Sequence, residues 1–362
     1  MLAEPRHGSA AQLERDLLDA RAHTLQVTAD FEGERLLGPK LAIVNPPLWE
    51  IGHVAWFQER WCLRLRGDGG LDESVLPGAD ALYDSSAVAH DRRWGLPLPD
   101  LRSTRAYGDR VLESVRERLA REPESPTLRY FVRLATFHED MHAEAFRYTR
   151  QTLGYADSLD SNAGVETDDP DIEIPGGKFM LGARPSEGFV FDNEKWAHEV
   201  EIAPFRISRS VLTNAQYLAY VEGGGAPPRY WKQDGGRWLQ RRFDRWLALI
   251  PGEPVRHVSW NEAQAYCAWA QRRLPSEAEW ECASSRIDYG RVWEWTASTF
   301  GPYPGFAADP YKEYSEPWFG THKVLRGGSF ATPARLMRPT FRNFYTPERA
   351  DIFAGFRTCA LS

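Results

Sequence analysis

The stretch Phe137-His138-Glu139-Asp140-Met141-His142-Ala143-Glu144 decides how the first half of this chain is read. On a helix, positions i and i+4 lie one above the other, so His138 and His142 can present both imidazoles to one ion. The surrounding pattern predicts that the segment is helical. Ser125 is a capping residue followed by Pro126 at the first helical position, and Leu128, Phe131, Ala135, His138, His142 and Ala145 then recur at intervals of three and four. The histidines therefore lie on the apolar stripe. A stripe that faces a core obliges each imidazole to satisfy its ring nitrogens with a hydrogen bond or a metal. Taken alone, a His-x-x-x-His pair reads equally well as two hydrogen-bonded core histidines.

A third histidine in a similar setting shifts that balance. Asn45-Pro46-Pro47 is a strong helix start, and Trp49, His53, Trp56 and Phe57 line one face of a helix running to about Arg66. Trp49 and Trp56 could also pack around a neutral His53 with no ion involved. Two further helices complete the set. Leu13, Leu17, Ala20, Thr24, Leu25 and Thr28 carry helical period from about Ala10 to Asp30, and Tyr107, Val111, Val115 and Leu119 do so from about Ser103 to Ala120. Four helices predict a bundle, and bundle interiors build metal sites from facing helices, so His53 can meet His138 and His142. Residues 67–102 hold several Gly and Pro without sustained periodicity. A loop that long is usually functional or disordered, and Tyr83-Asp84-Ser85-Ser86 with His90-Asp91-Arg92-Arg93-Trp94 make it a candidate substrate-facing segment.

The 362 residues suffice for two domains, each with its own core. A formal charge of -7 and no Lys/Arg run argue against a nucleic-acid surface, so small neutral or zwitterionic partners are expected. Cys62, Cys267, Cys282 and Cys359 form no C-x-x-C pair, which fits a reducing cytoplasm. The opening residues lack the apolar core of a signal peptide and no run approaches membrane-spanning length, so a cytoplasmic protein without a membrane partner is expected.

After Gly154 the composition turns polar and acidic through Asp168-Asp169-Pro170, which predicts a bundle over 1–155, a linker over 156–172 and a second domain over 173–362. The second half has short apolar runs, many Gly and Trp, and few long helices. Ile174 to Gly182 reads as strand, turn and strand, and Val200 to Ser208 as another strand. Thr213 and Ser259 cap two helices, the second reaching about Arg272. The expected fold class is thus α+β.

Several words of this second half resemble the formylglycine-generating-enzyme or sulfatase-modifying-factor fold, a variant of the C-type-lectin-like architecture. They are Pro175-Gly-Gly-Lys-Phe-Met-Leu-Gly182, Val211-Leu-Thr-Asn-Ala-Gln-Tyr217, Val258-Ser-Trp-Asn-Glu-Ala263, Arg273-Leu-Pro-Ser-Glu-Ala-Glu-Trp280, Val292-Trp-Glu-Trp-Thr296, Leu325-Arg-Gly-Gly-Ser-Phe330 and Gly355-Phe-Arg357. Trp280, Trp293 and Trp295 read as core and turn anchors. The copper-dependent members use a cysteine pair after the Arg-Gly-Gly-Ser word, and Phe330 to Met337 contains none, so that sulfatase-maturing reaction is not expected.

Joined to a DinB-like four-helix bundle with Trp49-Glu-Ile-Gly-His53 and His138-Glu-Asp-Met-His142-Ala-Glu144, the whole chain resembles the ergothioneine sulfoxide synthases and their relatives the selenoneine synthases. The resemblance implies an oxidoreductase in which His53, His138 and His142 hold a mononuclear non-heme iron(II). Three imidazoles would equally suit zinc, so the iron comes from the family. It further implies that dioxygen is consumed to join sulfur or selenium to imidazole C2 of hercynine, the trimethylated betaine of histidine. Glu144 and Glu139 are candidates for tuning the histidines. The family's hercynine-binding segment matches Arg342-Asn343-Phe344-Tyr345-Thr-Pro-Glu-Arg349: Asn343 would bind the carboxylate, Phe344 would flank the ammonium, Tyr345 stands where sulfur enzymes carry an acidic residue, and Arg349 keeps the basic position. Hercynine is therefore expected to need residues of both halves. Tyr303 is the candidate proton donor.

Three departures bear on the chalcogen donor. Met141 replaces the usual Gln, the long loop reads Asp84-Ser-Ser-Ala-Val-Ala-His90 in place of an Asn-Ser-Tyr-Tyr word, and only Cys282 to Arg291 separates the Glu-Ala-Glu-Trp and Val-Trp-Glu-Trp words. This pattern resembles selenoneine synthases, which take a selenosugar. The alternatives are a sulfur-using ergothioneine enzyme with cysteine or γ-glutamylcysteine and, in another class, a DinB-like zinc hydrolase or transferase or a lectin-like binding module.

Overall fold

The computed structural model describes residues 8–159, 170–185 and 187–361. The chain divides into two compact units, Met1–Thr149 and Arg150–Ser362. Most of the polar stretch expected as a linker lies outside the described residues.

In the first unit α1 spans Ala10–Val27, and the Ser9 hydroxyl accepts from the Gln12 amide to close its open end. Helix α2, Pro47–Glu59, starts on the expected proline and runs into a π-helical turn, Arg60–Arg64, where the Leu65 amide reaches the Arg60 carbonyl. A short helix α3, Ala79–Tyr83, lies inside the long excursion, followed by α4, Leu101–Arg121, capped by Asp100, and α5, Pro126–Leu153, capped by Ser125. Every residue of α2 is buried, not one face alone. Its polar side chains are correspondingly partnered: Glu50 meets His142, Gln58 accepts from Arg21, and Glu59 accepts from Tyr107, Ser74 and the Val75 amide. These bonds tie α2 to all three other long helices.

The second unit is built from short strands with helices between them. β1 (Ile172–Ile174), β2 (Gly177–Leu181), β3 (His198–Ile202) and β4 (Phe205–Ile207) come first; the predicted single strand from Val200 is split because Ala203-Pro204 interrupts its ladder. Next come α6 (Asn214–Glu222) and a meander of β5 (Trp231–Asp234), β6 (Arg237–Arg242) and β7 (Arg245–Ala248). Gly235 and Gly236 both take positive φ, 54° and 79°, as the tight turn joining β5 to β6 requires. The remaining elements are α7 (Trp260–Trp269), β8 (Arg272–Arg273), α8 (Glu277–Ala283), β9 (Trp293–Thr299), β10 (Lys323–Arg326), β11 (Asn343–Tyr345), β12 (Ala354–Gly355) and β13 (Cys359–Ala360). Two four-stranded sheets run β1-β4-β13-β8 and β11-β10-β9-β12, with β2-β3 and the meander separate. Ile174, Ile202, Phe205, Ile207, Trp280 and Ile287 form a core, and above it the Glu294 carboxylate accepts from Trp280 and from the buried Arg357 guanidinium. Arg357 spends its other donors on the Ser208, Arg209 and Asp288 carbonyls, so this buried charge is paired on every side. The fold is α+β, a helical unit followed by a strand-rich one.

Candidate metal centre and substrate-binding residues

Helix α2 carries His53 and helix α5 carries His138 and His142, and one ring nitrogen from each lies within 4.8 Å of the others. Ring centroids are 5.0 Å apart for His53 and His138, 5.1 Å for His53 and His142, and 4.5 Å for the pair on α5. His53 and His138 are buried, whereas the His142 side chain keeps 19% exposure. The i, i+4 spacing on α5 and the facing position on α2 thus converge three imidazoles on one point, with one side still open.

What stands behind each ring decides which nitrogen is available. His53 Nδ1 lies 2.8 Å from the Tyr83 carbonyl, which only accepts, so the proton sits on Nδ1 and Nε2 keeps its lone pair. His142 Nδ1 lies 2.5 Å from Glu50 Oε1, with the same consequence. A carbonyl or carboxylate behind an imidazole is the usual support of a metal-ligating histidine. His138 is held differently, its ring stacked on Phe57 at 3.6 Å and 5°. Trp49 stacks on His53 at 4.8 Å and 10°, with Trp56 at 5.7 Å beside it. Burial, and then the neighbouring His142, hold the pKa of both His53 and His138 well below the ordinary 6.5, so both are neutral at pH 7. Three converging imidazoles, each able to offer a ring nitrogen, fit a divalent transition ion.

The long excursion builds part of this support. Tyr83 ends α3, and α3 is fastened to α2 by Trp49 Nε1 on the Leu82 carbonyl at 2.7 Å, by Trp56 Nε1 on Asp80 Oδ1 at 2.6 Å and by the two-pronged Arg64–Asp80 pair at 2.8 Å. Gly52, next to His53, lies against α3: a Cβ there would stand 2.3 Å from the Tyr83 ring. The glycine of the Trp-x-x-Gly-His word therefore lets Tyr83 approach until its carbonyl reaches the next residue's imidazole. Arg93 of the same excursion lies over the Trp49 ring at 3.9 Å and donates to Asn45 Oδ1 and the Val88 carbonyl.

Of the two carboxylates singled out in the sequence, Glu139 is fully buried and bonds Arg21 of α1 at 2.7 Å, while Arg21 also reaches the Gly108 carbonyl on α4. Glu144 is buried. Glu50, whose Oε1 lies against His142 Nδ1, is a further carboxylate of the site that the sequence motifs do not point to. Its signal was its place three residues before His53 on a helix whose apolar neighbours imply burial.

In the second unit Asn343, Phe344 and Tyr345 form β11, paired antiparallel with β10. Phe344 stacks on Phe300 at 4.1 Å and 12°, with Tyr314 and His322 at 5.6 Å and 6.0 Å, so one aromatic residue of the segment sits among three others. Asn343 Oδ1 accepts from the Phe344 amide, and Arg349 is paired through two bonds with Asp351 while lying over the Tyr345 ring at 4.9 Å. Tyr303 is buried. Its hydroxyl accepts from Arg326 at 3.0 Å and lies 3.3 Å from Glu277 Oε2, and Arg342 covers its ring at 4.1 Å. Burial holds its phenol well above the ordinary tyrosine range. Arg342 also lies 4.8 Å over Phe300, so Tyr303 is linked through Arg342 and Phe300 to Phe344.

A DinB superfamily model matches residues 16–146, and the sulfatase-modifying factor enzyme 1-like domain matches 158–291 and 286–361. Across both, the hercynine oxygenase of Mycolicibacterium thermoresistibile is 31% identical, over 96% of this chain and 94% of that protein. The chain belongs to the hercynine oxygenase family. The Mycobacterium tuberculosis hercynine oxygenase is likewise 31% identical over 96% of this chain and 98% of its own length. The formylglycine-generating enzyme of Thermomonospora curvata, 32% identical, covers 52% of this chain. The protein is an enzyme, as are these hercynine oxygenase relatives, and among the described residues no helix is long and apolar enough to cross a membrane.

Proposed function

We propose that this hercynine oxygenase family member is an iron(II)-dependent enzyme that uses dioxygen to form a carbon–selenium bond at imidazole C2 of hercynine, with a selenosugar as chalcogen donor. The observation that carries the reading is the convergence of His53, His138 and His142 on one point in a chain aligned with hercynine oxygenases over nearly its whole length. Iron bound there would supply oxygen activation and a binding position for a soft anionic chalcogen. The net reaction removes hydrogen from C2 and from the donor's Se–H; dioxygen takes up both, one oxygen leaving as water and the other ending on selenium.

The chain's own residues then have defined tasks. The Tyr83 carbonyl orients the His53 imidazole. Phe344, within its aromatic group, offers a π face to the trimethylammonium, and Asn343 a donor amide to the carboxylate. Arg349, at the family's basic position, is held in place by its two bonds to Asp351. Tyr303 is the candidate proton donor.

The donor assignment is supported by what surrounds the ligands. Met141, the residue before His142 on α5, is a soft apolar side chain at the position where the family resemblance implies an amide. Arg93, the buried arginine of the long excursion, spends its two terminal nitrogens on Asn45 and the Val88 carbonyl and lies over Trp49, which leaves no two-pronged face for the carboxylates of a glutamyl peptide. A selenolate is ionised at neutral pH and a sugar needs only neutral partners. The same reaction with a thiol donor is the second reading. A competition assay decides. Iron-loaded enzyme receives hercynine, oxygen and equal amounts of selenoglucose, thioglucose, cysteine and γ-glutamylcysteine, and products are resolved by mass spectrometry. Predominant carbon–selenium product is expected; predominant product from either cysteine donor refutes the selenium reading.

A further inference from the structure

Each of the three histidines is braced by a different kind of group: a backbone carbonyl for His53, an aromatic face for His138 and a carboxyl group for His142. Only the last can bring negative charge. We propose that Glu50 is a positioning residue for the metal centre, fixing the Nδ1–H form of His142 so that Nε2 points at the ion and strengthening that nitrogen as a donor. The inference rests on reading the three histidines as a metal centre.

Three observations carry it. Glu50 is 1% exposed, and its Oε1 atom is 2.5 Å from His142 Nδ1, so water does not compete for the bond. Glu50 and His53 are three residues apart on α2, and positions i and i+3 share a helix face. One turn of α2 thus supplies a ligand of its own and the brace for the ligand facing it on α5. Neither can shift without the other. Finally, the alternative of a purely stabilising buried pair is weak on energetic grounds, because the cost of removing two polar groups from water often cancels their attraction. A pair kept for stability alone would leave metal affinity unchanged when it is weakened, and that difference makes the proposal testable.

The full-length protein is stripped of metal with a chelator and titrated anaerobically with Fe(II) and with Co(II), whose visible absorption reports ligand geometry. Wild type is compared with Glu50→Gln, whose amide oxygen can still accept from Nδ1–H but carries no charge, and with Glu50→Ala. Affinity is expected to fall about 10-fold in the Gln variant and about 100-fold in the Ala variant, the span seen when such outer partners are removed. In the metal-free protein, ¹⁵N imidazole spectra should show His142 protonated at Nδ1 in wild type and in Glu50→Gln, and a mixture of the two neutral forms in Glu50→Ala. Folded variants that bind Co(II) within twofold of wild type, with an unchanged His142 proton position, would overturn the proposal. If Glu50→Ala does not fold, the affinity measured for Glu50→Gln decides. Failure of wild type itself to bind either ion would overturn the metal-centre reading, while the imidazole spectra would still decide whether Glu50 fixes the ring.

Discussion

Gly52→Ala is the smallest change that should disturb the centre without touching a ligand. The added methyl would lie 2.3 Å from Cε1 and Cζ of Tyr83 and 2.6 Å from its hydroxyl oxygen. Carbon–carbon contact becomes favourable only near 3.5 Å, so the Tyr83 ring must withdraw by about 1 Å. It has little room, being fully buried and carried on a short helix pinned by Asp80 and Leu82 to α2. Overpacking of this kind costs roughly 1–3 kcal/mol. For a unit of this size that corresponds to about 2–12 °C in Tm. The shift also draws the Tyr83 carbonyl off His53 Nδ1, now at 2.8 Å, and losing such a support lowers metal affinity by about 10- to 100-fold. The assay pairs thermal unfolding of the metal-free protein with Co(II) titration, and His53→Ala serves as the limit in which the ligand itself is gone. A Gly52→Ala protein with wild-type Tm and wild-type affinity would refute the claim that this glycine exists to admit Tyr83.

Phe344→Ala should weaken hercynine binding about 5- to 30-fold, the equivalent of roughly 1–2 kcal/mol for a cation over an aromatic face, and leave Co(II) affinity unchanged; calorimetry with both ligands checks it, and equal loss of both would show a collapsed unit instead. The apo protein should lose stability as pH falls through the ordinary histidine value of 6.5. His53, His138 and His257 are held neutral by burial when folded but take up protons when unfolded, so the unfolded state binds more protons below that pH and stability rises with pH across the window. Denaturant midpoints that are flat between pH 5 and 7.5 would contradict this.

What could be read in the sequence was what repeats locally. The three-and-four spacing around His138 and His142 is a property of one helix, and it forecast both the element and the shared direction of two rings. Capping residues behaved likewise, since Ser125, Thr213 and Ser259 each act within three or four residues of themselves. The strand that Pro204 splits and the Gly235-Gly236 turn were also local signals, present but passed over: the proline ends a ladder, and paired glycines between Asp234 and Arg237 mark a tight hairpin. The parts played by Tyr83, Glu50 and Arg93 were illegible for another reason, although the words holding Tyr83 and Arg93 stand out in the long loop. Their roles depend on which segments meet after folding, across 30 residues for the His53 to Tyr83 bond and 92 for the Glu50 to His142 bond, and no periodicity encodes that meeting. Composition did contain a hint. A helix with Trp49, Ile51, Val54, Trp56 and Phe57 on several faces has no solvent side, so each polar residue on it must find a partner, and Glu50, His53, Gln58 and Glu59 all do. Asking where those four side chains could go would have led from α2 to the carboxyl group behind His142. The polar residues of an otherwise apolar helix were therefore the most informative letters in the first half of the chain, more so than the apolar pattern that locates the helix.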